Sequence, residues 1–418
     1  MEEAAEINYE ELLELAVDFA YELQGCGAET YRVEETILRL MSAYGVQGEA
    51  FVIPNCIIAS LETRDGKHLT RMRRNAAGTT DLDSLERYNG LCRQICRDKP
   101  PLDQAEAMFL EETKQVRTYS LPLLLLAYFL AAAGFAMFFQ GTLLDGLCGG
   151  ICGIATGLCL RFMSSLRANP FFKTVSAGFV LAFLAQILAL TGLAHNVDAA
   201  IIGALMLLVP GLLFTNSVRD VIYGDTMSGV NRLVQVLIIA IALTVGTGAA
   251  VALARNLWGE VSGAASLMNY SVFVQCLVCS VGSLGFSMLF NLHGPGITLC
   301  IIGGCFSWVI YRICGVFGMS DVVAFLIAAA AVSAYSEVMA RVRKCPATGY
   351  LVVSLFPLIP GANIYYTMDY ALRGNIDQFL RTGLHTAALA GALAVGVLLV
   401  ATVFRMWGIW KFKVRRRK

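Results

Sequence analysis

The chain has 418 residues, of which 57% are hydrophobic and only 15% are charged. Soluble domains are typically about 45–50% apolar and about 25% charged, so this composition excludes a disordered chain and argues against a purely soluble enzyme. The formal net charge of +1 conceals two parts, because residues 1–118 carry 13 Lys/Arg and 22 Asp/Glu, whereas residues 119–418 carry 19 and 9. We therefore expect an acidic soluble domain followed by about 300 residues built for a lipid environment.

Residues 1–118 have the pattern of a small α+β domain. Apolar residues recur at helical spacing over 8–24 and 29–44, and Asn8 is suited to cap the first helix. The segments at 50–54 and 56–62 are typical of strands, and the turn residues at 63–66 predict a hairpin into a third strand. Helices are expected again over 80–98 and 101–117. The acidic start of the chain is unlike a signal peptide, so we expect this domain in the cytoplasm.

Motifs for catalysis are missing from the sequence. The patterns GxSxG, GxxxxGK[ST] and HExxH are absent, so no serine hydrolase, P-loop ATPase or zinc protease is indicated. The 13 cysteines and 4 histidines show no spacing that would supply zinc ligands, and buried thiols are the simpler interpretation. We predict that the chain is not an enzyme and needs no cofactor or metal.

A basic cluster lies on the predicted hairpin. It comprises Arg64, Lys67, His68, Arg71, Arg73 and Arg74. One interpretation is a solvated strand face, and the other is a contact with anionic lipid or with an acidic surface of the same domain. The sequence leaves both open.

Ten segments of the remaining chain are apolar enough to cross a bilayer, which takes about 20 residues. They are 120–139, 143–160, 171–191, 197–216, 230–253, 269–290, 295–315, 321–340, 348–366 and 378–404. If residues 1–118 are inside, the inner connections carry Arg161, Arg167, Lys173, Arg219, Arg232, Arg341, Arg343 and Lys344, followed by the basic tail at 411–418. The outer connections carry only Arg255, Arg312, Arg373 and Arg381. This bias predicts a multi-pass protein with both termini in the cytoplasm.

The most informative feature is an internal echo. LMLLVPGLLFTNSVRDVIYGD begins at Leu205 and LFPLIPGANIYYTMDYALRGN begins at Leu355, an offset of 150 residues that also maps the first five predicted spans onto the last five. A unit with an odd number of spans enters the membrane from opposite sides, which predicts two inverted five-helix repeats at 119–268 and 269–418. The expected fold is an α-helical polytopic membrane protein with ten transmembrane helices and an N-terminal α+β soluble domain at 1–118.

Each repeat contains a Pro-Gly pair inside a predicted span. Proline removes a backbone hydrogen bond, so such a break frees carbonyl and amide groups for a ligand. We predict that a zwitterionic ligand binds between the two breaks, and a packing kink without a ligand is the alternative. The predicted binding residues are Pro210, Gly211, Asn216, Pro360, Gly361, Asn363 and Tyr365.

Ionisable residues near or within spans are energetically costly and usually functional. Asp220 and Asp225 follow the fourth predicted span, and His385 lies within the tenth. We predict gating or proton-coupling roles for these three, with a solvated loop as the alternative for the two aspartates. Glu337 precedes Arg341 by four residues, which favours a helical ion pair instead of a functional carboxylate.

Three stretches together resemble the threonine/serine exporter family. They are GAETYRVEETILRLMSAYG at 27–45 with the strand CIIASLE after it, PGLLFTNSVRDVIYGDTMSGVNRL at 210–233, and PLIPGANIYYTMDYALRGN at 357–375. The resemblance covers nearly the whole chain, with both halves fused. It implies a bacterial inner-membrane exporter of threonine and serine that is driven by the proton motive force.

The resulting hypothesis is a secondary exporter that works by alternating access. Its expected partners are threonine, serine, protons and the lipid bilayer, with a homo-oligomer left open and no nucleic acid. A dicarboxylate exporter is the nearest alternative, because related split systems are implicated in succinate export, although the spans offer few cations and Arg381 is the best of them. A membrane protein with a signalling or enzymatic module at 1–118 is the alternative from another class. Since Asn216 aligns with Tyr366 and Asp220 with Tyr370, any ligand site is expected to be asymmetric.

Overall fold

The computed structural model describes residues 7–75, 78–115, 117–259, 268–343 and 345–416. Lys344 and the last two residues of the basic tail, which contribute to the predicted charge bias, lie outside these ranges. The same holds for the acidic stretch at 1–6.

The N-terminal unit is a three-stranded sheet surrounded by helices. Its elements are α1 (Tyr9–Gly25), α2 (Thr30–Ala43), β1 (Gly48–Ile53), β2 (Cys56–Glu62), β3 (His68–Arg74), α3 (Leu82–Asp98) and α4 (Leu102–Lys114). The strands are antiparallel in the order β1-β2-β3, and α1 packs against β2 and β3 while α2 packs against β1. The predicted strand at 56–62 agrees with β2, and the Asn8 side chain accepts a hydrogen bond from the Glu11 backbone N–H as expected of an N-cap.

The alternation of side chains explains how this sheet is oriented. On β2, Ile57, Ala59 and Leu61 are buried. Because successive strand residues point to opposite faces, these three face the helices. The opposite face carries the cross-strand row of Phe51, Ile58 and Met72, of which Phe51 and Met72 are exposed. One face of the sheet therefore supplies the core of the unit.

Two residues of the basic cluster contact acidic residues of the same unit. Arg71 donates to Glu14 over 2.5 Å, and Arg73 pairs with Asp18, both on α1. The contact with an acidic surface of the same domain is therefore confirmed for these two. The other four members, Arg64, Lys67, His68 and Arg74, are exposed.

The rest of the chain is helical. Its helices are α5 (Leu121–Phe138), α6 (Leu143–Ser165), α7 (Pro170–Leu190), α8 (Val197–Leu205), α9 (Gly211–Tyr223), α10 (Thr226–Trp258), α11 (Val272–Leu289), α12 (Pro295–Val316), α13 (Asp321–Arg343), α14 (Thr348–Ser354), α15 (Gly361–Leu372) and α16 (Ile376–Arg416). Within the described ranges, 8 helices are long and apolar enough to cross a membrane, or 9 if α14 and α15 form one bent span. The chain is therefore a multi-pass membrane protein. The predicted span at 197–216 is divided between α8 and α9, so length and composition alone do not reach the expected ten.

The packing of these helices repeats at the offset seen in the sequence. Adding 150 to the start of α9 gives the start of α15. Helix α10 packs against α7 and α9, and α16 packs in the same way against α13 and α15. Helices of the two halves also contact each other, because α9 packs against α16 and α15 packs against α10. The helices that begin at the two breaks, α9 and α15, therefore lie where the two halves of the chain meet.

Buried Asp145 fixes the loop before α8. Its carboxylate caps α6 by accepting from the backbone N–H and the hydroxyl of Thr142. It also accepts from the backbone N–H groups of His195, at 2.7 Å, and Asn196, at 2.8 Å. With four donors, this charge is fully compensated, and its role is to hold α8 against α6.

Several contacts join the N-terminal unit to the membrane helices, including those of Glu86 with Cys345 and of Thr30 with Arg232. Near α11, the side-chain amide of Asn291 donates to Asp81, and the backbone N–H of Leu82 donates to the carbonyl of Phe290. At another contact, Arg219 of α9 donates to Glu29, which precedes α2. The unit thus contacts helices from both halves of the chain.

We expect Gly396→Ala to destabilise the protein. A Cβ there would lie 2.6 Å from the Leu326 carbonyl oxygen and 3.1 Å from the Ala330 nitrogen, and backbone of α13 cannot easily yield. Such overpacking typically costs about 1–3 kcal/mol. Gly391, on the same helix, is the matched control, because an added Cβ meets nothing within 4 Å. Thermal unfolding of the detergent-purified variants measures the difference, and equal midpoints would contradict close packing of α16 on α13 at Gly396.

Candidate functional site

The two Pro-Gly pairs begin α9 and α15 with the same backbone geometry. Pro210 has φ −80° and ψ 43°, and Pro360 has φ −76° and ψ 53°. Before each proline the preceding helix has ended, at Leu205 in α8 and, after a short 3-10 turn, at Leu358. Both predicted breaks are therefore present, and each is a gap between two helices, wider than a simple kink.

The two breaks pack directly against one another. A Cβ added to Gly211 would overlap the side chain of Ile359, and one added to Gly361 would overlap Met206. Ile359 and Met206 are themselves buried. The predicted glycines thus come together, and in this conformation the space between them is filled by apolar side chains.

A narrow cavity lies beside this contact, between α9 and α14. It is lined by Glu29, Thr215, Asn216, Arg219, Thr348, Leu351, Val352, Leu355, Ala394 and Val397. It leaves about 20 Å³ for the centres of water molecules, which is room for one or two of them. A second cavity with about 30 Å³ adjoins it and shares Glu29, Arg219 and Thr348 in its wall. Polar groups of Glu29, α9 and α14 therefore line the first cavity together with apolar side chains of α14 and α16.

Glu29 and Arg219, which line both cavities, belong to a cluster of buried charges. Arg219 Nη1 lies 2.5 Å from Glu29 Oε1, and both side chains are only 6–7% exposed. Arg232 Nε lies 3.1 Å from Asp220 Oδ2, and Arg32 Nε lies 3.7 Å from Glu29 Oε2. Three guanidinium groups therefore face two carboxylates in this cluster.

The arginines keep Glu29 ionised. Burial by itself would raise the pKa of this carboxyl, but the positive charges of Arg219 and Arg32 outweigh it and lower the pKa to about 2. Glu29 is consequently an anion throughout the neutral range and is unsuited to carry a proton there. The chemistry that this site offers is ion pairing and hydrogen bonding.

The predicted residues of α9 fall on this site. Asn216 lines the first cavity. Asp220 is 3% exposed and belongs to the charge cluster. Asp225 is half-buried at the start of α10, near Glu34 of α2. Burial raises the pKa of the Glu34 carboxyl, and the charge of Asp225 adds to this rise.

Tyr365, Asn363 and His385 lie away from both cavities, whereas Glu337 lines the second one. The Tyr365 hydroxyl, on α15, lies 3.1 Å from a carboxylate oxygen of Asp198 at the start of α8. Asn363 is half-buried on α15 and does not line either cavity. His385 Nε2 lies 3.8 Å from Asp321 Oδ2 in a pair that is about half exposed. Glu337 binds Arg341 over 2.5 Å, which confirms the expected helical ion pair.

Equivalent helix pairs of the two halves are arranged differently. The offset of 150 relates Thr215 and Thr348 to Tyr365 and Asp198. Thr215 and Thr348 both line the first cavity and share no hydrogen bond among the described residues, whereas Tyr365 and Asp198 are hydrogen-bonded and α15 packs against α8. The two related pairs therefore differ in their direct contact.

Sequence reasoning missed Glu29, Thr215, Arg219 and Thr348. It counted Arg219 only as a positive loop residue, although Arg219 directly precedes the predicted Asp220. That adjacency of opposite charges at the end of an apolar span was the available signal. Glu29 gave none, because it lies 190 residues away from its partner in sequence.

Sequence comparisons identify relatives for both halves. The ThrE model of the threonine/serine exporter family matches residues 14–254, and a second model, described as Threonine/Serine exporter, ThrE, matches residues 275–403. The chain belongs to the threonine/serine exporter family. Members of this family are transporters, so the expectation that the chain is not an enzyme is confirmed. The sequence resemblance to this family is confirmed as well, in its fused two-part form.

Individual relatives agree with this assignment. A protein of Mycobacterium tuberculosis strain H37Rv, named as a probable threonine/serine exporter, is 22% identical over 94% of this chain and 76% of its own length. A threonine/serine exporter of Corynebacterium glutamicum is 25% identical over 77% of this chain and 67% of its own length. Pheromone-regulated membrane protein 10 of Debaryomyces hansenii is 25% identical over 56% of this chain but only 23% of itself. No solved structure matches the chain.

We expect the contact between Glu29 and Arg219 to be independent of pH between about pH 8 and about pH 5. Because the pKa of Glu29 is lowered, its ion pair stabilises the contact at every pH above the ordinary value of 4.5 and is lost only as the pH falls toward about 2. Hydrogen–deuterium exchange in the first turn of α2, corrected for the intrinsic pH dependence, measures this.

The variant that tests this contact is Glu29→Gln, which removes the carboxylate that the N-terminal unit supplies to Arg219. Breaking a buried ion pair costs about 3–5 kcal/mol, so exchange in this turn should rise at every pH. Glu35→Gln is the control, because Glu35 forms an exposed pair with Arg39 on the same helix. Equal exchange in the two variants, or a rise between pH 8 and pH 5 in the unmodified protein, would refute this role of the pair.

Proposed function

We propose that this protein exports threonine and serine across the bacterial cytoplasmic membrane by alternating access between two inverted five-helix repeats. Family membership and the names of the two bacterial relatives support the substrates. The shared offset of sequence and packing supports the repeat, and an odd number of spans in each unit makes it inverted.

In this proposal the chain crosses the membrane ten times. The pair α8–α9 is the fourth span and α14–α15 the ninth, each broken at its Pro-Gly pair. The soluble domain at 1–118 and both termini lie in the cytoplasm. The first repeat spans residues 119–268 and the second spans residues 269–418. The excess of Lys/Arg in the connections on that side supports this orientation.

The single observation that carries alternating access is the unequal state of two related helix pairs. On the cytoplasmic side, Thr215 of α9 and Thr348 of α14 line the first cavity without a hydrogen bond between them. On the outer side, Tyr365 of α15 is joined to Asp198 of α8. Two inverted repeats that differ in this way describe a transporter open slightly to the inside and closed to the outside.

The substrate site of this proposal lies at and beside the contact of the two breaks. It retains the predicted Pro210, Gly211, Asn216, Pro360, Gly361, Asn363 and Tyr365. Asn216 has the most direct support because it lines the first cavity. Each glycine packs against a side chain of the other break, so the breaks are the proposed pivot about which the cavity widens. The present volume admits only water, so transport requires that widening.

The proton motive force is the proposed energy source. Asp220, Asp225 and His385 remain the proposed coupling residues, and Asp220 is the best supported because it is buried in the charge cluster. A dicarboxylate exporter is less well supported, since three arginines face two carboxylates in the charge cluster and leave one positive charge for a ligand with two negative charges.

We expect cells that make this protein to release threonine faster than cells without it. Cells loaded with a threonine-containing dipeptide accumulate threonine inside, and its appearance in the medium is followed with and without the gene. Collapse of the proton gradient should abolish the difference. Identical release from the two strains would overturn the amino-acid proposal, and release that survives collapse of the gradient would overturn proton coupling.

We expect Tyr365→Phe to weaken closure on the outer side. The lost hydrogen bond to the Asp198 carboxylate is of a kind worth about 1.5–3 kcal/mol, a shift of roughly 10–100-fold in the conformational equilibrium. Entry of labelled external threonine into de-energised cells should therefore speed up. Tyr366→Phe is the control, because the neighbouring hydroxyl makes no hydrogen bond within the described residues. Equal uptake by the two variants would contradict the proposed outer closure.

A further inference from the structure

Only one of the three guanidinium nitrogens of Arg219 makes a hydrogen bond among the described residues. Nη1 donates to Glu29. Nε and Nη2, although buried, make no hydrogen bond with any residue that the structure describes, and Nη2 lies 3.9 Å from Asp220 Oδ1. These two nitrogens form the side-on fork with which arginine binds a carboxylate through two parallel hydrogen bonds. Buried donors without partners are rare in native proteins. An open fork on the wall of a cavity indicates a ligand that is an anion or carries one.

The charges around this fork favour a particular kind of ligand. Arg219 is the cation nearest to the first cavity, and Glu29 lines the same cavity with an ionised carboxylate. A zwitterionic amino acid carries a carboxylate and an ammonium group on one carbon. A cation and an anion that face each other are the complementary arrangement for such a molecule.

We propose that a free amino acid inserts into the Glu29–Arg219 pair, its carboxylate on the open fork of Arg219 and its ammonium on Glu29. This inference rests on the proposed function and names the charge recognition of its substrate site. Insertion keeps every buried charge compensated, because Arg219 exchanges one carboxylate for another and Glu29 exchanges a guanidinium for an ammonium. A dianion or a simple cation would leave one member unpaired in a buried site, which is strongly unfavourable.

The hydroxyl of threonine or serine also finds partners here. Thr348 lines the first cavity, and Thr215 donates its own hydroxyl to the Gly211 carbonyl over 3.0 Å, which leaves its oxygen free to accept. Asn216 adds an amide on the same wall. Both cavities border the ion pair, so moving Glu29 away from Arg219 joins them into one space. The site is then built by two parts of the chain, and it is incomplete without the N-terminal unit.

The test is ligand-induced thermal stabilisation of the full-length purified protein. Three probes differ only at one end: threonine, threoninamide, which lacks the carboxylate, and 3-hydroxybutyrate, which lacks the ammonium. The unmodified protein should respond to threonine at concentrations at least about tenfold below those needed for either analogue, since each lost charged contact costs about that much affinity or more.

Each of the two variants should lose the preference for threonine over a different analogue. Glu29→Gln should lose the advantage of threonine over 3-hydroxybutyrate, and Arg219→Gln should lose its advantage over threoninamide. Glu35→Gln and Arg39→Gln, which alter an exposed ion pair on α2, should behave like the unmodified protein. Glu29→Asp retains the charge and should retain the preference at weaker affinity, which shows that the domain still folds and docks.

Two results would overturn the inference. One is an unchanged preference in both Glu29→Gln and Arg219→Gln. The other is a parallel loss of response to all three probes while Glu29→Asp remains active, since that would make the pair a purely structural contact. These failures are distinct from failure of the proposed function, in which the unmodified protein would neither release threonine from loaded cells nor respond to it when purified.

Discussion

The buried ion pair between Glu29 and Arg219 is the constraint on which the rest of the site depends. It joins a residue of the N-terminal unit to a helix that begins at a Pro-Gly break, and it forms part of the wall of both cavities. Two charges in a region of low dielectric must remain compensated, because an isolated one would cost several kcal/mol. Any movement that opens the cavity therefore has to provide each charge with a new partner, and this requirement links opening to the charge of what enters.

The contact between the two breaks complements this constraint. Gly211 and Gly361 each lie against an apolar side chain from the other half of the chain, so neither position accommodates a Cβ without displacement. Close contact of this kind transmits a shift of one half directly to the other, since packed interiors do not deform continuously. The packing of the two breaks thus links two features of the structure. One is the hydrogen bond between Tyr365 and Asp198, and the other is the cavity lined by Thr215 and Thr348.

Local features of this protein could be predicted from sequence, and features that depend on distant contacts could not. The strand at 56–62, the cap at Asn8 and the breaks at Pro210 and Pro360 follow from short-range chemistry, and the structure contains all of them. The division of the fourth predicted span was only partly foreseen, because the chain leaves the helix at Leu205, well before the proline. Arg219 was assigned to a loop since its partner lies 190 residues away, and no periodicity links the two.

Two attachments of the N-terminal unit have a mechanical consequence. Asp81 and Leu82 hold it to the end of α11, and Glu29 holds it to α9, so it bridges segments from both halves of the chain. If the end of α11 and α9 move apart, the N-terminal unit must either deform or lose its contact with one of them. The elastic cost of that choice is set by the small sheet and its helices, and it adds to the energy difference between the states of the whole protein. If the protein alternates between two states as proposed, sequence changes in the core of that unit, far from any substrate, would alter the rate at which the states exchange.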